Sequence, residues 1–191
     1  MILCDQGDFD GAVEDYSEAI RLSPTRPRPY VNRAIALLQL GQITRAIEDL
    51  DRSIELNSVL ATAYTLRGVA YHLLGDIDRA VIEHNRALRI EPTYISPLLN
   101  RCAAFYALGN YDAALADCDR AAELMPAFAI TFNNRARVFE RMGSLDRAIE
   151  DEKRAVALRY EIADARELLA VRINRDGRVR IATASPEANR D

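Results

Sequence analysis

The chain of 191 residues contains no Trp, two His and three Cys. A site built from several His or Cys ligands has almost no raw material here, and no metal or cofactor is expected. Lysine is equally scarce. Lys153 is the single Lys among 25 basic residues, so the other 24 are Arg. They are scattered among 29 acids, the formal net charge is −4, and no basic run is present, which argues against nucleic acid as a partner. No stretch approaches the ~20 consecutive apolar residues of a membrane span. Met1–Asp5 has no basic start and no long apolar core, so no signal peptide is expected. Cys4, Cys102 and Cys118 are odd in number and widely spaced. They read as buried free thiols in a reducing compartment, and a cytoplasmic location is expected. No glycine-rich phosphate loop is written, and no Ser/His/Asp or Cys/His set converges, so no enzyme activity is predicted.

What is present is periodic. Gly7, Gly41, Gly75, Gly109, Gly143 and Gly177 are each 34 residues apart. Aligned on them, the chain divides into a partial unit over 1–26 and full units over 27–60, 61–94, 95–128 and 129–162. A capping helix over 163–177 and a flexible tail over 178–191 follow. Each full unit reads as two amphipathic helices. Tyr30, Ala34, Leu37 and Leu40 recur at three- and four-residue steps in one, and Ile43, Ala46, Ile47, Leu50 and Ile54 in the next. Apart from a brief alternation at Val179-Arg180-Ile181, nothing suggests a strand. Gly suits a left-handed helix end, and Asp8, Asp76, Asn110 and Ser144, which follow these glycines, are able to cap the next helix. Pro24, Pro92 and Pro126 stop second helices, while Pro27, Pro29 and Pro97 sit at first-helix starts. Small residues form two columns, Ala34/Gly68/Cys102/Ala136 and Ala12/Ala46/Ala80/Ala114/Ala148, where helices are expected to cross closely.

The period, the bulky column Tyr30, Tyr64, Leu98 and Phe132, the small columns and runs such as Gly75-Asp76-Ile77-Asp78-Arg79-Ala80 resemble the tetratricopeptide repeat (TPR) family. The resemblance covers residues 1 to 162 and implies an all-α fold, a right-handed solenoid of antiparallel helix pairs with a concave groove for peptides or helices of partner proteins. The first unit begins in mid-helix, so either the chain is a fragment of a longer protein or its N-terminus is expected to expose the apolar side of the helix from Gly11 to Leu22. Self-association through residues 1–40 is therefore a second expectation. A regulatory module of a longer enzyme is a third.

Several columns are candidates for function. Arg33, Arg67, Arg101 and Arg135 recur without exception, and sixteen residues later stand Asp49, Glu83, Asp117 and Asp151. They read either as four structural ion pairs or as a ladder of cations for an acidic ligand. Asn32, Asn100 and Asn134 form the column before these Arg residues, with Leu66 interrupting it. Asn is a mediocre helix former but offers a donor and an acceptor to an extended backbone, or else bonds to a neighbouring helix. The resemblance places Arg28, Val31, Ile35, Leu38, Val69, His72, Leu99, Tyr106, Asn133 and Arg137 on the same groove wall. Its apolar members have no obvious internal partner, so an exposed apolar patch is expected, turning polar toward the last unit. Chaperone-binding relatives clamp a C-terminal carboxylate with basic residues around an Asn. Thr62, Leu66, Ile130 and Asn134 stand where those residues are needed, so that ligand class is disfavoured. His72 and His84 lack a third ligand at metal spacing and read as structural.

Overall fold

A computed structural model describes residues 8–159, together with the backbone of 170–173 and 179–182. The chain forms two compact units, Met1–Pro92 and Thr93–Asp191.

The described part of the first unit contains α1 (Phe9–Leu22), α2 (Pro27–Gln39), α3 (Ile43–Leu56), α4 (Ala61–Leu73) and α5 (Ile77–Ile90). Each helix packs on its neighbour in sequence, and α2 also touches α4. Ala34, Leu37, Ala46 and Leu50 are fully buried between the helices of the first pair. The turns obey a single rule. Gly75 takes φ +81°, its N–H bonds to His72 O at 3.0 Å, and the Asp76 N–H reaches back to Tyr71 O at 2.9 Å. A side chain at that φ is strained, so Gly is favoured there. Asp76 then caps α5 by accepting from the Arg79 N–H at 3.1 Å. Asp8 does the same for Gly11, whereas Gln42 makes no such cap. First-helix tyrosines fasten the preceding loop: the Tyr30 hydroxyl donates to Pro24 O and that of Tyr64 to Ser58 O.

The second unit contains α6 (Ile95–Ala107), α7 (Tyr111–Leu124), α8 (Ala129–Arg141) and α9 (Leu145–Arg159), again paired in sequence and with α6 touching α8. It also contains two short strands, β1 (Ala170–Ile173) and β2 (Val179–Ala182), paired antiparallel with Val171 opposite Ile181 and Ile173 opposite Val179. This corrects the expected capping helix over 163–177 and the tail over 178–191: each contains a strand. Val171, Ile173, Val179 and Ile181 are β-branched and alternate with other residues, a pattern that loses side-chain freedom in a helix and suits extended backbone. The remainder of 160–191, Gly177 included, lies outside the described residues, as do Cys4 and Gly7.

Candidate functional site

The first helix of each pair buries one stripe against its second helix. Val31, Ile35 and Leu38 lie one position further round from Tyr30, Ala34 and Leu37, so they occupy an adjacent stripe of α2. Leu99 and Ala103 continue that column on α6, and Asn133 and Arg137 on α8. Asn32, Leu66, Asn100 and Asn134 lie beside it.

The exposed apolar patch expected on this wall is absent. In the first unit Val31, Leu38, Leu66, Val69 and His72 are buried, Asn32 and Ile35 are half-buried, and Arg28 is exposed. The wall is buried where the first helices α2 and α4 meet side by side. In the second unit Leu99, Asn100 and Asn134 have 0% exposure and Arg137 is also buried, while Tyr106 and Asn133 are half-buried. Here β1 lies against α6 and α8, the two first helices. Sequence reasoning had no means of seeing this cover. Burial holds the His72 imidazole neutral, with a pKa lowered to about 4, and pushes the Tyr106 hydroxyl up.

Two wall candidates are tied to their own unit. The Arg137 guanidinium donates to Glu140 at 2.7 Å and lies 3.6 Å from Glu152 on α9, so its charge is engaged within its own helix pair. Tyr106 stands edge-on to Tyr111, with centroids 5.8 Å apart, and Arg141 donates to the Tyr111 hydroxyl at 3.2 Å.

The Arg column lies between helices. Arg33 donates through Nε and Nη2 to the two carboxylate oxygens of Asp49, at 2.7 and 2.6 Å. Arg101 reaches Asp117 and Arg135 reaches Asp151 in the same way, while Nε and Nη2 of Arg67 both donate to Oε2 of Glu83, at 3.0 and 2.6 Å. All four acids are buried. A second partner, not anticipated from the sequence, lies sixteen residues before the Arg. Nη1 of Arg33 donates to Ser17 Oγ at 2.9 Å, Arg67 to Asp51 at 2.6 Å, and Arg135 to Asp119 at 2.7 Å. In these three units the Arg therefore staples the second helix of the preceding repeat to the second helix of its own. The signal was a polar column, Ser17, Asp51 and Asp119, at the repeat spacing. The aromatic rings of Tyr64 and Phe132 flank Arg67 and Arg135. The hydrogen bonds that Arg33 and Arg135 donate to Asp49 and Asp151 raise the pKa of the two guanidinium groups. At Arg67 burial is the largest influence and lowers it, but Asp51 and Glu83 together raise it on balance. Burial raises the Asp117 pKa against the opposing pull of Arg101.

One crossing position changes chemistry from repeat to repeat. The pairs sixteen apart are Ala34/Leu50, Gly68/His84, Cys102/Cys118 and Ala136/Glu152. A Cβ on Gly68 would come 2.5 Å from His84 Cε1, so the missing side chain makes room for the imidazole. Cys102 and Cys118 form a disulfide, with Cα atoms 6.0 Å apart. This overturns their reading as free thiols, and with it the argument for a reducing compartment. The reason is geometric: the spacing that brings each Arg to its acid also brings these two thiols together across the helix hairpin.

A TPR repeat profile matches residues 2–41, and a tetratricopeptide repeat profile matches 31–95 and 99–159. The chain belongs to the tetratricopeptide repeat family. No curated protein sequence compared with it matches. Among solved structures it is similar to MamA, at TM-score 0.70 and 21% identity over 83% of this chain and 93% of that one. It is also similar to TTC0263, a thermophilic TPR protein of Thermus thermophilus, at TM-score 0.73 and 23% identity over 83% and 91%. The Cut9–Hcn1 hetero-tetramer of the APC/C matches at TM-score 0.78 and 17% identity, over 85% of this chain and 31% of that one. At these identities the likeness concerns the fold, an all-α solenoid of TPR units.

A TPR array suits a protein-interaction scaffold, because stacked helix pairs present a continuous side-chain surface without an enclosed reaction chamber. Among the described residues no group of three His, Cys, Asp or Glu is placed to hold a metal ion, and no helix is long and apolar enough to cross a membrane.

Proposed function

We propose that this TPR protein is a non-catalytic scaffold that binds a segment of a partner protein along the wall of its first helices. The observation that carries the reading is the engagement of the strongest alternative. The Arg column, the most regular charged feature of the chain, is tied up in bidentate pairs with buried acids and is not presented as a ladder for an acidic ligand. Of the Asn column, Asn32 is the half-buried member, and it lies beside the stripe of α2 that is then the candidate recognition surface. Asn32 and Ile35 are half-buried and Arg28 is exposed, so the first unit offers an approachable stretch of this wall.

The test is selection of a displayed linear-peptide library on the full chain. Selected peptides are expected to lose affinity by about tenfold for Asn32→Ala, one hydrogen-bonded anchor being worth about 1 kcal/mol or more. Arg89→Glu, on the exposed side of α5, serves as the control. Equal binding by all three chains rejects the wall as the binding face.

A second reading, association of copies through an array end, is favoured by a different observation. Leu145, Ile149 and Val156 of α9 are half exposed or more and follow one another at helical spacing. Light scattering over a dilution series on Ile149→Glu tests it, and an unchanged mass at every concentration removes it.

A further inference from the structure

We infer that a ridge on α9 of one copy docks into a cleft between the second helices α3 and α5 of another copy, head to tail. The inference rests on the reading of α9 as a self-association face. It adds the surface on which that face lands, which shares no residue with the first-helix wall.

The cleft has a volume of about 510 Å³. Arg67 and buried Glu83, joined by the staple, form its floor. Its walls differ in charge. α3 contributes Asp51, Ile54 and Glu55, while α5 contributes Arg79, Ile82 and Arg86. The cleft is therefore acidic on one side, basic on the other and apolar between. Ile82 is the exception that marks it. This residue is 48% exposed, and its column reads Glu48, Ile82, Ala116 and Glu150. In the second unit the equivalents of Ile54 and Ile82 are Ala122 and Glu150. There Arg147 and Arg154 lie over the rings of Phe139 and Phe132, at 4.0 and 4.3 Å. The apolar centre thus belongs to the first unit.

α9 carries the matching relief. Ile149 and Val156 are exposed and stand seven residues apart, about 10 Å along the helix. Arg79 and Arg86 are separated by the same step. The columns of Ile149 and Val156 are half-buried in α5, at Val81 and Leu88, so this stripe is one that packs against other helices. Viewed down the axis, Glu152 lies about 50° to one side of the ridge and Lys153 about 50° to the other. Both are exposed, and the ion pair of Glu152 with Arg137, at 3.6 Å, leaves half of that side chain open. With Lys153 toward Asp51 and Glu55, Glu152 faces Arg79 and Arg86, and the ridge meets Ile54 and Ile82. The reverse orientation sets like charges together, so one is selected. Ridge and cleft are different patches. Each docked copy leaves one of each unused, and growth stays open.

The test is light scattering on the full chain over a dilution series. Wild type is expected to grow past a dimer as concentration rises. Ile82→Glu, which installs the residue of two other units, and Ile149→Glu are each expected to stay monomeric. Their equimolar mixture is expected to form a dimer and stop there, because Ile82→Glu keeps its ridge and Ile149→Glu keeps its cleft. A mixture that stays monomeric overturns the inference. If Ile82→Glu assembles like wild type while Ile149→Glu does not, self-association through α9 stands and the cleft falls. If wild type is monomeric throughout, both fall. Charge exchange gives a second route. Glu55→Lys and Lys153→Glu are each expected to weaken assembly by roughly fivefold, and the chain carrying both to recover. A double variant as weak as the singles also overturns the inference.

Discussion

His84 occupies space that Gly68 leaves open: a Cβ at position 68 would meet three atoms of the imidazole at 2.5 to 2.9 Å. The ring is fully buried. Gly68→Ala gains about 1 kcal/mol of helix propensity but forces this overlap, so a net loss of about 1–3 kcal/mol is expected in urea unfolding. Adding His84→Leu recreates the Ala34/Leu50 combination of the preceding repeat and is expected to recover most of the loss. If the two changes simply add, the pair is not coupled.

The Arg135 staple makes an asymmetric prediction. Asp151 is buried, whereas Asp119 is half-exposed. Asp151→Ala leaves a partly buried guanidinium with only its outer partner and is expected to cost about 3 kcal/mol. Asp119→Ala is expected to cost about 1 kcal/mol or less, and still less in high salt. Equal losses in denaturant melts would contradict the assignment of inner and outer partners.

Reduction of the Cys102–Cys118 bridge is expected to destabilise the chain. The two residues are sixteen apart, and closing a loop of that size contributes about 3 kcal/mol by restricting the unfolded state. Melts with and without dithiothreitol measure the difference. Cys102→Ala/Cys118→Leu, which copies the first crossing, is expected to melt independently of reductant.

His72 supplies a pH signature. Its folded pKa is about 4 against an ordinary 6.5, because burial disfavours the imidazolium. Below pH 6.5 the unfolded chain takes up a proton that the folded chain refuses. Stability from this group is therefore complete above about pH 6.5, falls as pH drops toward 4, and levels off below. The loss amounts to about 3 kcal/mol at most. The difference between wild type and His72→Asn isolates it: stability profiles that stay parallel from pH 7 to 4 would show that His72 is not held neutral.

The periodic information in the chain is local, and local physics reads it directly. Glycines at a 34-residue spacing, small residues at crossings and apolar steps of three and four determine helices, turns and pairing, because each is decided within one or two turns of backbone. The Arg–acid spacing of sixteen belongs to the same class: a helix hairpin of constant length brings those columns together in every unit. The disulfide obeys that same spacing. It was obscured because Cys102 and Cys118 also stand in columns occupied elsewhere by Ala and Leu, for which packing is a sufficient reason.

Accessibility was decided by tertiary structure alone. Whether Leu99, Asn100 and Asn134 face water depends on what lies over them, and β1 begins 36 residues after Asn134. No repeat spacing records that contact, since the hairpin is not a repeat. The outer staple partners Asp51 and Asp119 differ, since they stand sixteen residues before their Arg in a polar column that keeps the repeat spacing. Side-chain columns follow from helix periodicity, but which residues are covered follows from the packing of segments distant in sequence.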